Sequence, residues 1–437
     1  MHLHKFKDKN MTVKTIKYST GELAFFGAFE AQKNSLPKAE GREAANAWLK
    51  ASGIATKRVE FYHYSDLRRK FGKSQAYGAA DSKVSLAQIK AHPTIAAFDE
   101  ADYQSIVFVD GKLRADLSDT GASLADSAPT WAAENLKRAD NGNHIDNLTR
   151  AMWRDGICLD IEESSDKPIH LIFVSSGQSN VAHFNRHYIS LADNVTATLI
   201  ESHINLDDEP SFNLHHFNFK LATAANLTHF VVNGENDKAV NICRTEGDYA
   251  DKVELNSTAL AIGGAWTRRE GDLYCNGSNM DLKISGAVLA GGEQHIDNSY
   301  VVHHKLPENI SFQRFKNVID DKAHAIFQGK VIVAIDAQKT DGQQMSQSIL
   351  LSDDASISTK PELEIYADDV ECAHGATVGA LDEDTLFYLR ARGIPKKIAQ
   401  RLLIHAFVAE ISDELPEALN IAADKLITVW LNAHLEA

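Results

Sequence analysis

The chain has 437 residues, 44% of them hydrophobic and 24% charged, which suits a globular protein with a sizeable core and two or three domains. Its formal charge of -15 excludes nucleic-acid or anionic-membrane binding as a general role, because either needs a basic surface. Met1 to Asn10 lack the apolar stretch of a signal peptide, no run approaches the ~20 apolar residues of a membrane span, and Cys158, Cys243, Cys275 and Cys372 form no Cys-x-x-Cys pair, so a cytoplasmic protein with reduced thiols is expected.

Helices are expected over Gly21 to Lys33 and Ala39 to Ala51, where Ala, Leu, Glu and Lys recur at helical spacing and Ser52-Gly53 supplies a stop. Ser105 to Leu113 reads as a hairpin turning at Asp110-Gly111, and Asn143 to Arg154 as another helix. From about Gly156 the hydrophobic period changes to two. Leu171 to Val174, Thr196 to Ile200, Val253 to Ser257, Met280 to Ile284, Val331 to Ile335 and Leu363 to Ala367 read as short strands between turns such as Gly263-Gly264, Asn276-Gly277 and Gly291-Gly292. Roughly two hundred residues of this kind argue against a doubly wound sheet and leave a sandwich, a barrel or a solenoid, among which the irregular spacing does not choose.

After Gly379 the pattern is helical again. Asp382 to Arg392 begins with acids, ends with arginines and stops at Gly393 with Pro395 beyond, each suited to its end of the helix dipole. Two amphipathic helices follow, with Ile398, Leu402 and Ala406 on one stripe and Leu419, Leu426 and Trp430 on the next. They read either as a cap closing the open end of the β core or as a docking surface for a partner.

Most of the 19 histidines fail as metal ligands on geometry. His183 and His187 would lie roughly 13 Å apart along a strand, and the neighbours His215-His216 and His303-His304 would face opposite ways. Cys372 and His374 survive: two apart on a strand continuing from Leu363, Ile365 and Ala367, they would share a face about 6 to 7 Å apart. Two ligands cannot fill a structural zinc site, so the pair is either a buried thiol beside a surface imidazole or half of a site completed elsewhere. Gly72-Lys73-Ser74 lacks the earlier glycine of a phosphate-binding loop, since Leu67 stands there, and no serine elbow, zincin or dinucleotide motif occurs. Asp353-Asp354 and Asp368-Asp369 read as solvated turns rather than a glycosidase pair.

Five segments, taken in order, resemble a known family: Ala337-Gln-Lys-Thr-Asp-Gly342, Leu350-Leu-Ser352, Thr359-Lys-Pro-Glu-Leu-Glu-Ile-Tyr-Ala-Asp-Asp-Val370, Cys372-Ala-His-Gly-Ala-Thr377 and Leu386-Phe-Tyr-Leu-Arg-Ala-Arg-Gly-Ile394. They are similar to the SufB/SufD scaffolds of the SUF iron-sulfur cluster assembly system, and to the SufD branch in Tyr366-Ala-Asp-Asp369 and in His374-Gly-Ala-Thr377, where SufB-type chains read more like His-Glu-Ala-Thr. Weaker likeness extends through Arg314 to Val318, the Asp110-Gly111 hairpin and Gly53 to Arg68. Ala373 replaces the family's usual Ser, and Tyr62 a more usual Trp.

The resemblance implies a mainly β protein with a right-handed parallel β-helix core (155–378) between an N-terminal, mostly helical domain (1–154) and a C-terminal helical domain (379–437). It implies a non-catalytic scaffold that pairs with a SufB-type paralogue and binds a SufC-type ATPase, or forms a homodimer in isolation. His374 is then the candidate ligand of a transient iron-sulfur cluster shared with the paralogue, with Cys372 its neighbour. Asp382, Thr385, Leu386, Tyr388, Leu389, Arg390, Arg392 and Ile398 are the candidate ATPase-docking residues. The alternative reading is a β-helix carbohydrate-active lyase or hydrolase.

Overall fold

The computed structural model describes residues 17–37, 41–72, 76–78, 82–119, 122–123, 132, 134–135, 142–177 and 181–435; Met1 to Asn10 and Lys73-Ser74 lie outside them. From Ile157 the chain winds into a parallel β-solenoid of about 7 turns with helices at both ends of the sequence. Each coil gives one strand to each of two ten-stranded sheets, and each strand pairs in parallel with the strand two places on. Thr196, Asn226, Glu254, Asp281, Ile310, Asp341 and Glu371 stand in register on successive strands of the second sheet, so a coil takes 27 to 31 residues. That varying interval hides the repeat from simple inspection of the sequence.

One corner recurs in every coil. Asn194, Ala224, Lys252, Asn279, Glu308 and Lys339 adopt left-handed backbone with φ between 55° and 63°. Such a residue costs roughly 1 kcal/mol. The cost is offset by a hydrogen-bond ladder running down the corner: the Asn194 amide donates to the Thr223 carbonyl at 2.9 Å, that of Ala224 to Asp251 at 2.8 Å, and that of Lys252 to Ser278 at 2.8 Å.

Inside, period-two alternation stacks like residues coil upon coil. Ala197, Leu227, Leu255 and Leu282 form one buried column, each leucine contributing on the order of 2 kcal/mol by leaving water. Further on, the rings of Tyr300, Phe315 and Phe327 stack at centroid distances of 6.0 and 4.8 Å. They fill the interior because Gly271, Gly286 and Gly329 offer no Cβ: one built there would lie 2.7, 2.6 and 2.5 Å from these rings. Deeper still, Glu201 is fully buried against Arg269 at 3.0 Å, His203 at 2.7 Å and His229 at 3.1 Å. Burial pushes its carboxyl up, but these three partners outweigh it and hold the group well below the usual carboxylate range.

The helices Thr20–Gln32, Gly41–Ser52 and His144–Met152 cover the outer face of the first sheet, where Phe25, Leu49, Ile145 and Leu148 pack on Phe184, Phe212, Leu214 and Trp266. Ser19 and Glu22 form a capping box at the first helix, Gly53 (φ 74°) stops the second, and Asn143 caps the third. Gln104–Val109 forms the expected hairpin with Lys112–Leu113 and also joins the second sheet beside Ile169–Ser175.

The C-terminal helices Glu383–Ala391, Lys396–Ala409 and Glu417–Leu435 differ from the cap considered above. The last two lie along the outer face of the second sheet, where Ile404, Val408, Leu419, Leu426 and Trp430 bury Ile200, Phe230, Val232, Leu260 and Val318. The apolar outer face of that sheet draws them there, and among the described residues the end of the solenoid is left open.

Candidate functional site at the open end

Ser356–Ile365 and Glu371–Gly379 are the last strands of the two sheets, and among the described residues nothing pairs with their outer edges. The strand beginning at Leu363 does not run on to Cys372 as the alternation suggested. It ends at Ile365, the chain turns through Tyr366 to Val370, and Cys372 and His374 lie on the following strand. The shared face survives the change, since the two remain two residues apart on one strand, in register with Gly342 and Gln344.

Cys372 continues the inner column that began as leucines: Leu282, Ser311, Gly342, Cys372. Its thiol is half-buried against Val331, Leu363 and Val370, and it fits because Gly342 has no Cβ, which would stand 3.2 Å from Cys372 Sγ and from Val331 Cγ1. Burial raises the thiol above its ordinary value, the Gly342 backbone lowers it, and Asp341 raises it further. Iron would therefore have to displace a proton to gain a thiolate ligand. His374 is exposed at the rim, over Gln344.

Among the described residues no group of three or more His, Cys, Asp or Glu side chains is arranged to hold a metal ion. The other thiols are poor candidates: burial pushes Cys158 and Cys275 up to about 12 and Cys243 higher still. The histidine pairs diverge as expected. His215 faces the interior beside Phe173 and His203, while His216 faces outward to Asp146 at 2.9 Å. His303 reaches Asp272 at 3.0 Å, and His304 turns the other way to Ser311 at 2.8 Å.

Among the candidate docking residues, Asp382 caps its helix by accepting from the Thr385 amide at 2.7 Å, and Arg392 lies 4.0 Å over the Tyr388 ring. Leu386 is buried and anchors the helix; Thr385, Tyr388, Arg390, Arg392 and Ile398 are exposed, and Leu389 is half-buried. Phe387, absent from the residues the sequence nominated, is 72% exposed, and Tyr388, Ile398 and Leu402 are exposed apolar side chains on the same two helices. The signal for it lies in the alternation of buried Leu386, Ala399 and Ile404 with exposed neighbours, readable only once the inward face is known.

The sequence of this chain has relatives among known proteins. The family model for the SUF system FeS cluster assembly SufBD core domain matches residues 173–407, more than half of the chain. The iron-sulfur cluster assembly protein SufD of Escherichia coli is 31% identical over 376 residues, covering 84% of this chain and 86% of that one. A SufBD family iron-sulfur cluster assembly protein of Synechocystis is 29% identical over 409 residues, covering 86% and 87%, and one of Pyrococcus horikoshii is 25% identical over 287 residues, covering 63% and 62%. The chain belongs to the SufBD family of iron-sulfur cluster assembly proteins. Within that family it stands with the SufD members.

Proposed function

We propose that this chain is a non-catalytic scaffold of a SufBCD-type complex in the cytoplasm, holding a nascent iron-sulfur cluster at its open solenoid end together with a SufB-type paralogue. The observation that carries the reading is the placement of Cys372 and His374 on one face of a terminal strand whose outer edge is unpaired among the described residues. Thiolate and imidazole both ligate iron in such clusters. Two ligands leave positions for a partner's residues and for the cluster's own sulfides, and a partly filled site favours release.

The surroundings support pairing at that end. Two parallel edges offer free backbone donors and acceptors, and Ile335, Ile365, Tyr366 and Val378 are exposed beside them. Such edges accept further strands. In isolation a second copy of the chain is the competing occupant. The SufC-type ATPase is assigned to the stripe of Phe387, Tyr388, Ile398 and Leu402, with Asp382, Thr385, Leu389, Arg390 and Arg392 around it and Leu386 as its buried anchor. ATP hydrolysis belongs to that partner.

The test is anaerobic co-purification with paralogue and ATPase. His374→Ala and Cys372→Ser are expected to leave the complex intact, with His374→Ala lowering iron content and cluster absorption several-fold. Wild-type iron content in both variants would remove the site from the proposal.

A further inference from the structure

Beneath the rim lies a pair of glutamines that the fold alone does not account for. Gln344 sits one strand below His374, in register with it and on the same face, and Gln313 one strand below that. Both are buried, at 2% and 0% exposure. Gln313 donates through Nε2 to the Lys330 carbonyl at 3.3 Å, but its Oε1 has no partner, and neither Nε2 nor Oε1 of Gln344 has one. A buried carboxamide left unpaired costs about 1–3 kcal/mol, so an apolar residue would serve the core better. The space is built for them. Gly329 on the facing sheet lacks the Cβ that would stand 2.9 Å from Gln313 Oε1 and Gln344 Nε2.

His374 has the complementary deficiency. Among the described residues its ring forms no hydrogen bond. An imidazole that binds metal through one nitrogen carries its proton on the other, and that N–H needs an acceptor to fix tautomer and ring orientation. Adjacent strands are about 4.8 Å apart, which brings the Gln344 carboxamide within reach of the ring above it after a side-chain rotation.

We propose that Gln344 is the positioning residue of the cluster site: its Oε1 accepts the ring N–H of His374 when the other ring nitrogen ligates iron, and Gln313 buttresses it from below. The inference rests on the reading of His374 as a cluster ligand and adds the group that orients it.

The experiment uses the anaerobic complex and follows iron loss to a chelator as a first-order rate, with Gln344→Leu, Gln344→Glu and His374→Ala compared with wild type. Gln344→Leu keeps the volume and removes the acceptor; it is expected to hasten iron loss about tenfold, the usual effect of losing such a partner. Gln344→Glu, which restores an acceptor, is expected to return the rate toward wild type. Both should assemble like wild type, with Gln344→Leu melting no lower because it removes an unpaired buried amide, and should Gln344→Leu fail to assemble, Gln344→Met serves as a second apolar variant of similar shape. A nitrogen-selective spectrum of the reduced cluster should report an altered histidine coupling in Gln344→Leu, a change that a packing role would not produce. If His374→Ala depletes the cluster while Gln344→Leu holds iron at the wild-type rate with an unchanged spectrum, the inference falls and the ligand reading stands. If His374→Ala loses nothing, both fall.

Discussion

Cys372 depends on a residue that has no side chain. Its sulfur rests 3.2 Å from where a Cβ of Gly342 would stand, a tight approach shared by Val331 Cγ1 at the same distance. Gly342→Ala should therefore force the thiol aside by a few tenths of an ångström, and Gly342→Val should expel it, at an overpacking cost of about 1–3 kcal/mol. The measurable outcome is faster alkylation of Cys372, followed by mass spectrometry so that the buried Cys243 and Cys275 serve as internal controls. Unchanged labelling in Gly342→Val would mean that the sulfur does not rest there. That Cys372 and His374 share a face was readable from their spacing alone. Their neighbours were not, because Gly342 and Gln344 meet them across 30 residues, an interval that only the coil register reveals.

At the scale of elements, the three C-terminal helices divide their work. The inward faces of Lys396–Ala409 and Glu417–Leu435 are part of the core against the second sheet, so deleting the chain from Asp382 onward would strip Ile404, Val408, Leu426 and Trp430 from Phe230 and Val318 and unmake the fold. Docking is better tested by point changes on the outer stripe. Phe387→Asp with Leu402→Asp is expected to weaken ATPase binding at least about 30-fold, as loss of an apolar anchor does, while the melting temperature changes little because surface substitutions cost under about 0.5 kcal/mol. A pull-down with calorimetry reads both, and undiminished binding would move the dock elsewhere. Both helical stripes were legible from periodicity. Which one turns inward was not: Ile398, Leu402 and Ala406 face solvent, whereas Leu419, Leu426 and Trp430 are buried, because the second sheet's apolar outer face selects the orientation.

The molecule as a whole carries an acid sensitivity built into its interior. Burial lowers His144, His295 and His304 to about 4 and His170 and His187 to about 3, against 6.5 when exposed in the unfolded chain. The unfolded state thus binds more protons, so their contribution is complete above pH 6.5 and is lost as pH falls through that value toward the folded ones. Each such histidine adds a slope approaching about 1.4 kcal/mol per pH unit within its window. Melting temperature should drop between pH 7 and pH 5, and a flat profile would show that these rings are not kept neutral. The β class and the helical flanks were legible in the sequence, whereas the solenoid followed from resemblance, since coils of 27 to 31 residues leave no fixed period to count. The stacked rings of Tyr300, Phe315 and Phe327, seated on their glycines, have a last consequence. They fill the solenoid's interior below the rim, so iron or sulfide held at Cys372 and His374 in the proposed scaffold would enter and depart by the same doorway, and a partner seated over that doorway would govern both directions of traffic.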